Sequence, residues 1–101
     1  MKNTIKLETI VGNFAENKDL AKKIRTERII PALEGGNEVI LDFDQVNGAT
    51  QSFIHALISE PIRNLKGIAF EKLFYKNTNE GIQEIISIVY RYIQESLDGI
   101  D

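Results

Sequence analysis

The side chains able to do chemistry are concentrated in one stretch of this 101-residue chain. Asp42 and Asp44 flank Phe43, and Thr50, Ser52, His55 and Ser59 follow. Two carboxylates can divide acid and base roles when their surroundings separate their pKa values. Asp42 and Asp44 share a face only if a strand runs through both, and no nucleophile or metal ligand accompanies them. Asp42 therefore reads as a strand-end residue that hydrogen-bonds the following loop. His55 lies three residues after Ser52 and four before Ser59, spacings that bring side chains together on a helix. A Ser–His pair with no orienting carboxylate and no oxyanion hole does not make a hydrolase, so His55 reads as exposed and partner-facing. Thr50 and Ser52 each carry two readings, a helix cap or a hydroxyl open to phosphorylation. Asn47-Gly48 is a turn; neither GxGxxG nor GxxxxGK[ST] occurs around it.

Composition narrows the classes further. The net charge is −3, which argues against a broad nucleic-acid surface. Lys18, Lys22, Lys23, Arg25 and Arg28 cluster, but Glu16, Asp19, Glu27 and Glu34 are interspersed, and the cluster reads as a solvated helix face. With one histidine and no cysteine, a metal centre is not expected, and no cofactor is implied. MKNTIKLETIVGNF lacks the apolar core of a signal peptide, and no apolar run is long enough to span a bilayer. The expectation is a cytoplasmic protein with neither nucleic acid nor membrane as partner.

The elements that must position these side chains alternate. Thr4–Leu7 reads as a half-buried first strand near an edge, with Ile10-Val11 extending it or forming a second short strand. Gly12-Asn13 is a turn, and Phe14 the expected anchor that packs this loop down. Asn17 or a neighbour is placed to cap a helix from about Lys18 to Leu33, with Pro31 demanding a kink or a division into two helical pieces and Gly35-Gly36 the stop. Val39–Phe43 is a short apolar run between turn signals, the mark of a strand buried on both faces. The next helix begins near Gln51; Pro61 demands a kink or restart, with Ser59 placed to cap a second piece. Lys72–Lys76 reads as a strand, with a short helical turn before it as the alternative. Thr78 or Asn79 caps the last helix, whose stripe is Ile82, Ile85, Ile86, Val89, Ile93 and Leu97, and the chain is expected to fray from Asp98 to Asp101. Ile88 and Tyr92 widen that stripe and suggest a contact surface for a partner or a second copy. The order predicts a small α/β domain spanning residues 1–101. It has a largely parallel sheet of three or four strands covered by about three helices.

On these residues a resemblance can be stated. The stretch VILDFDQVNGATQSF, Val39 to Phe53, resembles the central motif of STAS domains, the fold of anti-sigma-factor antagonists in bacterial-type signalling. The closer likeness is to the STAS-like domain family of unknown function. It is carried by the Gly12-to-Arg25 segment, by Val39–Phe43 with Val46, by Ser52-Phe53 and by Tyr75-Lys76-Asn77. The resemblance implies a non-catalytic regulatory module that binds a protein, for instance a histidine-kinase-like ATPase. It further implies a phosphorylatable serine at the start of the helix after the central strand. Alignment puts Gln51 at that serine and Ser52 next to it, so the switch, if kept, moves to Ser52 or Thr50. The contact residues expected are Asp44, Asn47, Gln51, Ser52, His55 and Ser59. The other reading of the same junction is a sensor for a small ligand or nucleotide.

Overall fold

A computed structural model describes residues 2–98, with side chains through 95. Its elements run β1 (Lys2–Lys6), α1 (Glu8–Val11), β2 (Phe14–Ala15), α2 (Lys18–Ile24), a π-helical turn (Arg25–Ile29), α3 (Ile30–Glu34) and β3 (Glu38–Asp42). They continue with β4 (Gly48–Ala49), α4 (Gln51–Asn64), α5 (Lys66–Lys72), β5 (Leu73–Lys76) and α6 (Glu80–Asp98). The strands form a parallel sheet in the order β1-β3-β5, and β2 and β4 make a small parallel pair beside it. The fold is the predicted α/β class. No helix among the described residues is long and apolar enough to cross a membrane. The seat of Leu97 and the fraying expected at residues 99–101 lie outside the described residues; Asp98, expected to fray, is the last residue of α6.

β3 is the middle strand, and its alternation decides which face of the sheet is covered. Val39 and Leu41 are fully buried and are flanked by Ile5 on one side and Leu73 on the other. Phe53, Ile54, Leu57 and Ile58 of α4 and Ile82, Val89 and Ile93 of α6 complete this core. Burying each such side chain contributes roughly 1.5–3 kcal/mol relative to exposure. On the other face the row Thr4, Ile40, Phe74 runs exposed, half-buried, exposed. The central strand is thus buried on one face and only partly on the other, not on both as its apolar run predicts. Ile40 and the strand's β-branched character mimic a doubly buried strand.

Several helices depart from the expected shape. Asn17 caps α2 as predicted, its Oδ1 accepting the N–H groups of Asp19 and Leu20. The segment divides into two helical pieces, α2 and α3, one of the two outcomes expected at Pro31, which sits in the first turn of α3. A π turn precedes it, with the Ile30 N–H bonding the carbonyl of Arg25 five residues back. This widening brings Ile24 and Ile29, five residues apart, both into the core (3% and 0% exposed), followed by Leu33. α4 runs unbroken through Pro61, with no restart, and Ser59 caps nothing. Ile58, Pro61 and Ile62 are all buried there, and their packing outweighs the hydrogen bond that proline removes.

Ile10-Val11 is helical, not a strand, within α1. The short helix α5 precedes β5, the second of the two sequence readings. Phe14 is 48% exposed and anchors no core; its ring lies over Gly48, where an added Cβ would meet it at 2.8 Å. Asn79 caps α6 through the N–H of Ile82, and Ile82, Ile86, Val89 and Ile93 are buried as the stripe requires. Tyr75 of β5 and Tyr90 of α6 join hydroxyls at 2.6 Å, and burial pushes both phenols above their ordinary range.

Candidate functional site

Two places near the end of β3 gather polar side chains. The first is the loop after Asp42. Asp42 is 5% exposed and sits in register between Lys6 of β1 and Lys76 of β5. One carboxylate oxygen, Oδ1, accepts from Asn77 Nδ2 at 2.9 Å and from the Asp44 N–H at 2.9 Å. These two hydrogen bonds, with the nearby lysines, outweigh burial and hold the carboxyl below its ordinary value. Asn77 takes positive φ (59°), a conformation asparagine tolerates, and this presents its amide to Asp42. Asn47 is held by a separate pair of hydrogen bonds. Its N–H donates to the Asn13 carbonyl at 2.7 Å, and its carbonyl accepts Asn79 Nδ2 at 2.8 Å. Asp44 is exposed and gives only its backbone N–H to the loop.

The second place is a cleft of about 740 Å³ between α2, α4 and α6. Gln51, Ser52, His55 and Ser59, all predicted from sequence as contact residues, line it together. They occupy successive turns of the polar side of α4, the side opposite Phe53, Ile54, Leu57 and Ile58. Asp44 and Asn47 do not line it. Thr50 fixes where α4 begins: its Oγ1 accepts the Phe53 N–H at 3.1 Å, so this hydroxyl is the cap. Ser52, in the first turn of the same helix, is exposed and makes no side-chain hydrogen bond among the described residues.

The far wall of the cleft is formed by residues that the sequence reading left on a solvated face. Lys18, Lys22 and Arg25 of α2 and the π turn line it, as do Ala56, Val89 and Tyr92. The spacing i, i+4, i+7 of the three cations was the available signal, because it places them on one side of a helix. Arg25 is committed structurally. Its Nη1 donates to the Ala56 carbonyl at 3.0 Å, and its Nε lies 2.8 Å from Glu60 Oε2, an ion-pair contact without hydrogen-bond alignment. It thereby ties the π turn to α4 one turn before Pro61. Lys18 and Lys22 are exposed and form no salt bridge among the described residues. Tyr92 is 60% exposed at the α6 edge of the cleft, and Ile88 is half-buried. Among the described residues no three His, Asp or Glu side chains converge to ligate a metal ion.

No curated protein and no solved structure gives a significant match to the chain. Residues 20–83, well over half of it, match the family described as a STAS-like domain of unknown function (DUF4325). That segment runs from α2 through the cap of α6 and includes β3, its loop and all of α4. The chain belongs to this STAS-like domain family.

Proposed function

We propose that this chain, as one STAS-like domain over residues 1–101, is a non-catalytic regulatory module of the cytoplasm. It docks a protein partner through the cleft on the polar side of α4. The observation that carries the reading is the convergence of Gln51, Ser52, His55 and Ser59 in one open cleft. Their side chains are not spent on holding the fold, whereas Thr50 and Asp42 are. Asp44 and Asn47, in the loop before α4, extend the contact. The partner class implied by the resemblance is a histidine-kinase-like ATPase.

The same contrast supports Ser52 over Thr50 as the switch. A phosphate on Ser52 would add about −1.5 to −2 charge at a helix N-terminus, which tolerates it, beside the lysines of the cleft. A phosphate on Thr50 would disrupt the cap.

Binding of the ATPase to the wild-type chain, Ser52→Glu and His55→Ala tests the proposal, with calorimetry as the readout. Both substitutions are expected to weaken binding at least about tenfold, which is about 1.4 kcal/mol. Equal binding by all three chains would refute it. A thermal-shift screen against nucleotides addresses the sensor reading: a reproducible rise with one nucleotide, lost in His55→Ala, would favour it.

A further inference from the structure

The chemistry of the cleft says what kind of segment it receives, given the docking role proposed above. The chain carries a net charge of −3, yet the cleft is lined by three cations and, among the described residues, no carboxylate. Arg25 is partly neutralised by Glu60, but Lys18 and Lys22 are exposed, four residues apart, and without an ion-pair partner among the described residues. Like charges at this spacing on a helix repel each other weakly. An anion seated between them and α4 removes that repulsion and gains two attractions. The first turn of α4, at Gln51 and Ser52, adds a weak positive potential to the same end of the cleft.

The cleft is not polar throughout. Ala56 and Val89 form an apolar floor, and Tyr92 offers a largely exposed ring beside it. Tyrosine is among the residue types enriched as anchors of protein contacts. The walls are exposed side chains of separate helices, whereas small-molecule sites enclose most of their ligand.

We infer that the occupant is an acidic segment of a partner protein carrying one apolar side chain. Its carboxylates meet Lys18 and Lys22, and its apolar side chain rests on Ala56 and Val89 against Tyr92.

NMR titration of the full chain tests this with three defined probes. These are a synthetic peptide of Glu and Asp with one central Leu, the same peptide with Gln and Asn replacing every acid, and inorganic phosphate. The acidic peptide is expected to shift the amides of Lys18, Lys22, Ser52, His55 and Tyr92. Its affinity should fall at least about fivefold between low salt and physiological salt, as screening of the lysine contacts requires. The charge reversals Lys18→Glu and Lys22→Glu together should abolish the shifts. Should that variant fail to fold, Lys18→Gln with Lys22→Gln should weaken binding severalfold.

Three results would overturn the inference. They are equal binding of the neutral peptide, an identical pattern with phosphate alone, and shifts spread over Lys66, Lys72 and Lys76 rather than the cleft. Absence of any shift overturns it as well. Failure here is distinct from failure of the docking role. A partner lost in Ser52→Glu and His55→Ala but indifferent to the lysine substitutions keeps the docking site and removes the acidic occupant.

Discussion

On the loop side of α4, Asp42 accepts from Asn77 at 2.9 Å, the Asn47 carbonyl accepts from Asn79 at 2.8 Å, and Thr50 closes the helix end. On the helix side, Ser52, His55, Lys18 and Lys22 face a cleft, and none makes a side-chain hydrogen bond or ion pair among the described residues. Both regions are built from polar side chains and meet at the start of α4. Their difference separates polar residues that determine the shape of the junction from polar residues left free by that shape. The first set should show its importance in stability, the second only in binding.

The sharpest way to break this contrast is at Asp42. Asp42→Ala removes the acceptor for both the Asp44 N–H and the Asn77 amide, and leaves Lys6 and Lys76 facing each other across β3. Losing hydrogen bonds to a charged, buried acceptor costs about 1–3 kcal/mol. Urea denaturation should show a lower midpoint at unchanged slope. A loss under about 0.5 kcal/mol, the range of ordinary surface positions, would remove Asp42 from the structural set.

The same carboxylate makes a pH prediction. Its folded-state pKa is depressed, so the stability it contributes is fully present above its unfolded value, about 3.9, and is lost as pH falls through the folded pKa. Asp42→Asn keeps the shape but not the charge. The stability gap between wild type and Asp42→Asn should therefore be widest near neutrality and close on acidification below about pH 4. Denaturation midpoints of the two chains at stepped pH measure this directly. A gap that is constant with pH would assign the contribution to shape rather than ionisation.

Thr50→Ala tests the boundary between the two regions. It leaves the N–H of Phe53, a fully buried residue, without its acceptor. Loss of such a cap costs typically about 1 kcal/mol. Thr50→Ser, which restores the hydroxyl, should recover most of it in the same denaturation assay.

How much of this was legible in the sequence follows the range of the interactions. α6 was readable almost residue by residue, since Asn79 as cap and Ile82, Ile86, Val89 and Ile93 as stripe are local patterns. The β3 core and the role of Asp42 as a loop anchor were readable for the same reason. Pro31 announced a division of its helix but not the form it takes, and Pro61 announced a break that does not occur, because proline marks a missing hydrogen bond without saying how the fold absorbs it. One is accommodated by a π turn that rephases Ile24 and Ile29, the other by buried neighbours that keep α4 whole. The polar side of α4 was visible, but the far wall of its cleft was not. Lys18 and Lys22 become cleft residues only once α2 packs against α4, an event between residues some thirty positions apart. Mixed acids in that segment concealed a cationic side that only helical phase separates.

Ser52 is where the contrast predicts the smallest change in stability. Its hydroxyl is exposed and unbonded, so Ser52→Ala should stay within about 0.5 kcal/mol of wild type. Ser52→Glu should be slightly stabilising, by about 0.3–1 kcal/mol, because a negative charge in the first turn of α4 complements the helix dipole. The cleft cations Lys18, Lys22 and Arg25 act in the same direction. This gain should shrink as salt is raised, since exposed charges are screened. Thermal denaturation of the three chains at low and high salt makes the measurement. If Ser52→Ala cost as much as Thr50→Ala, both hydroxyls would be structural, and the start of α4 would have no free group left to serve as a switch.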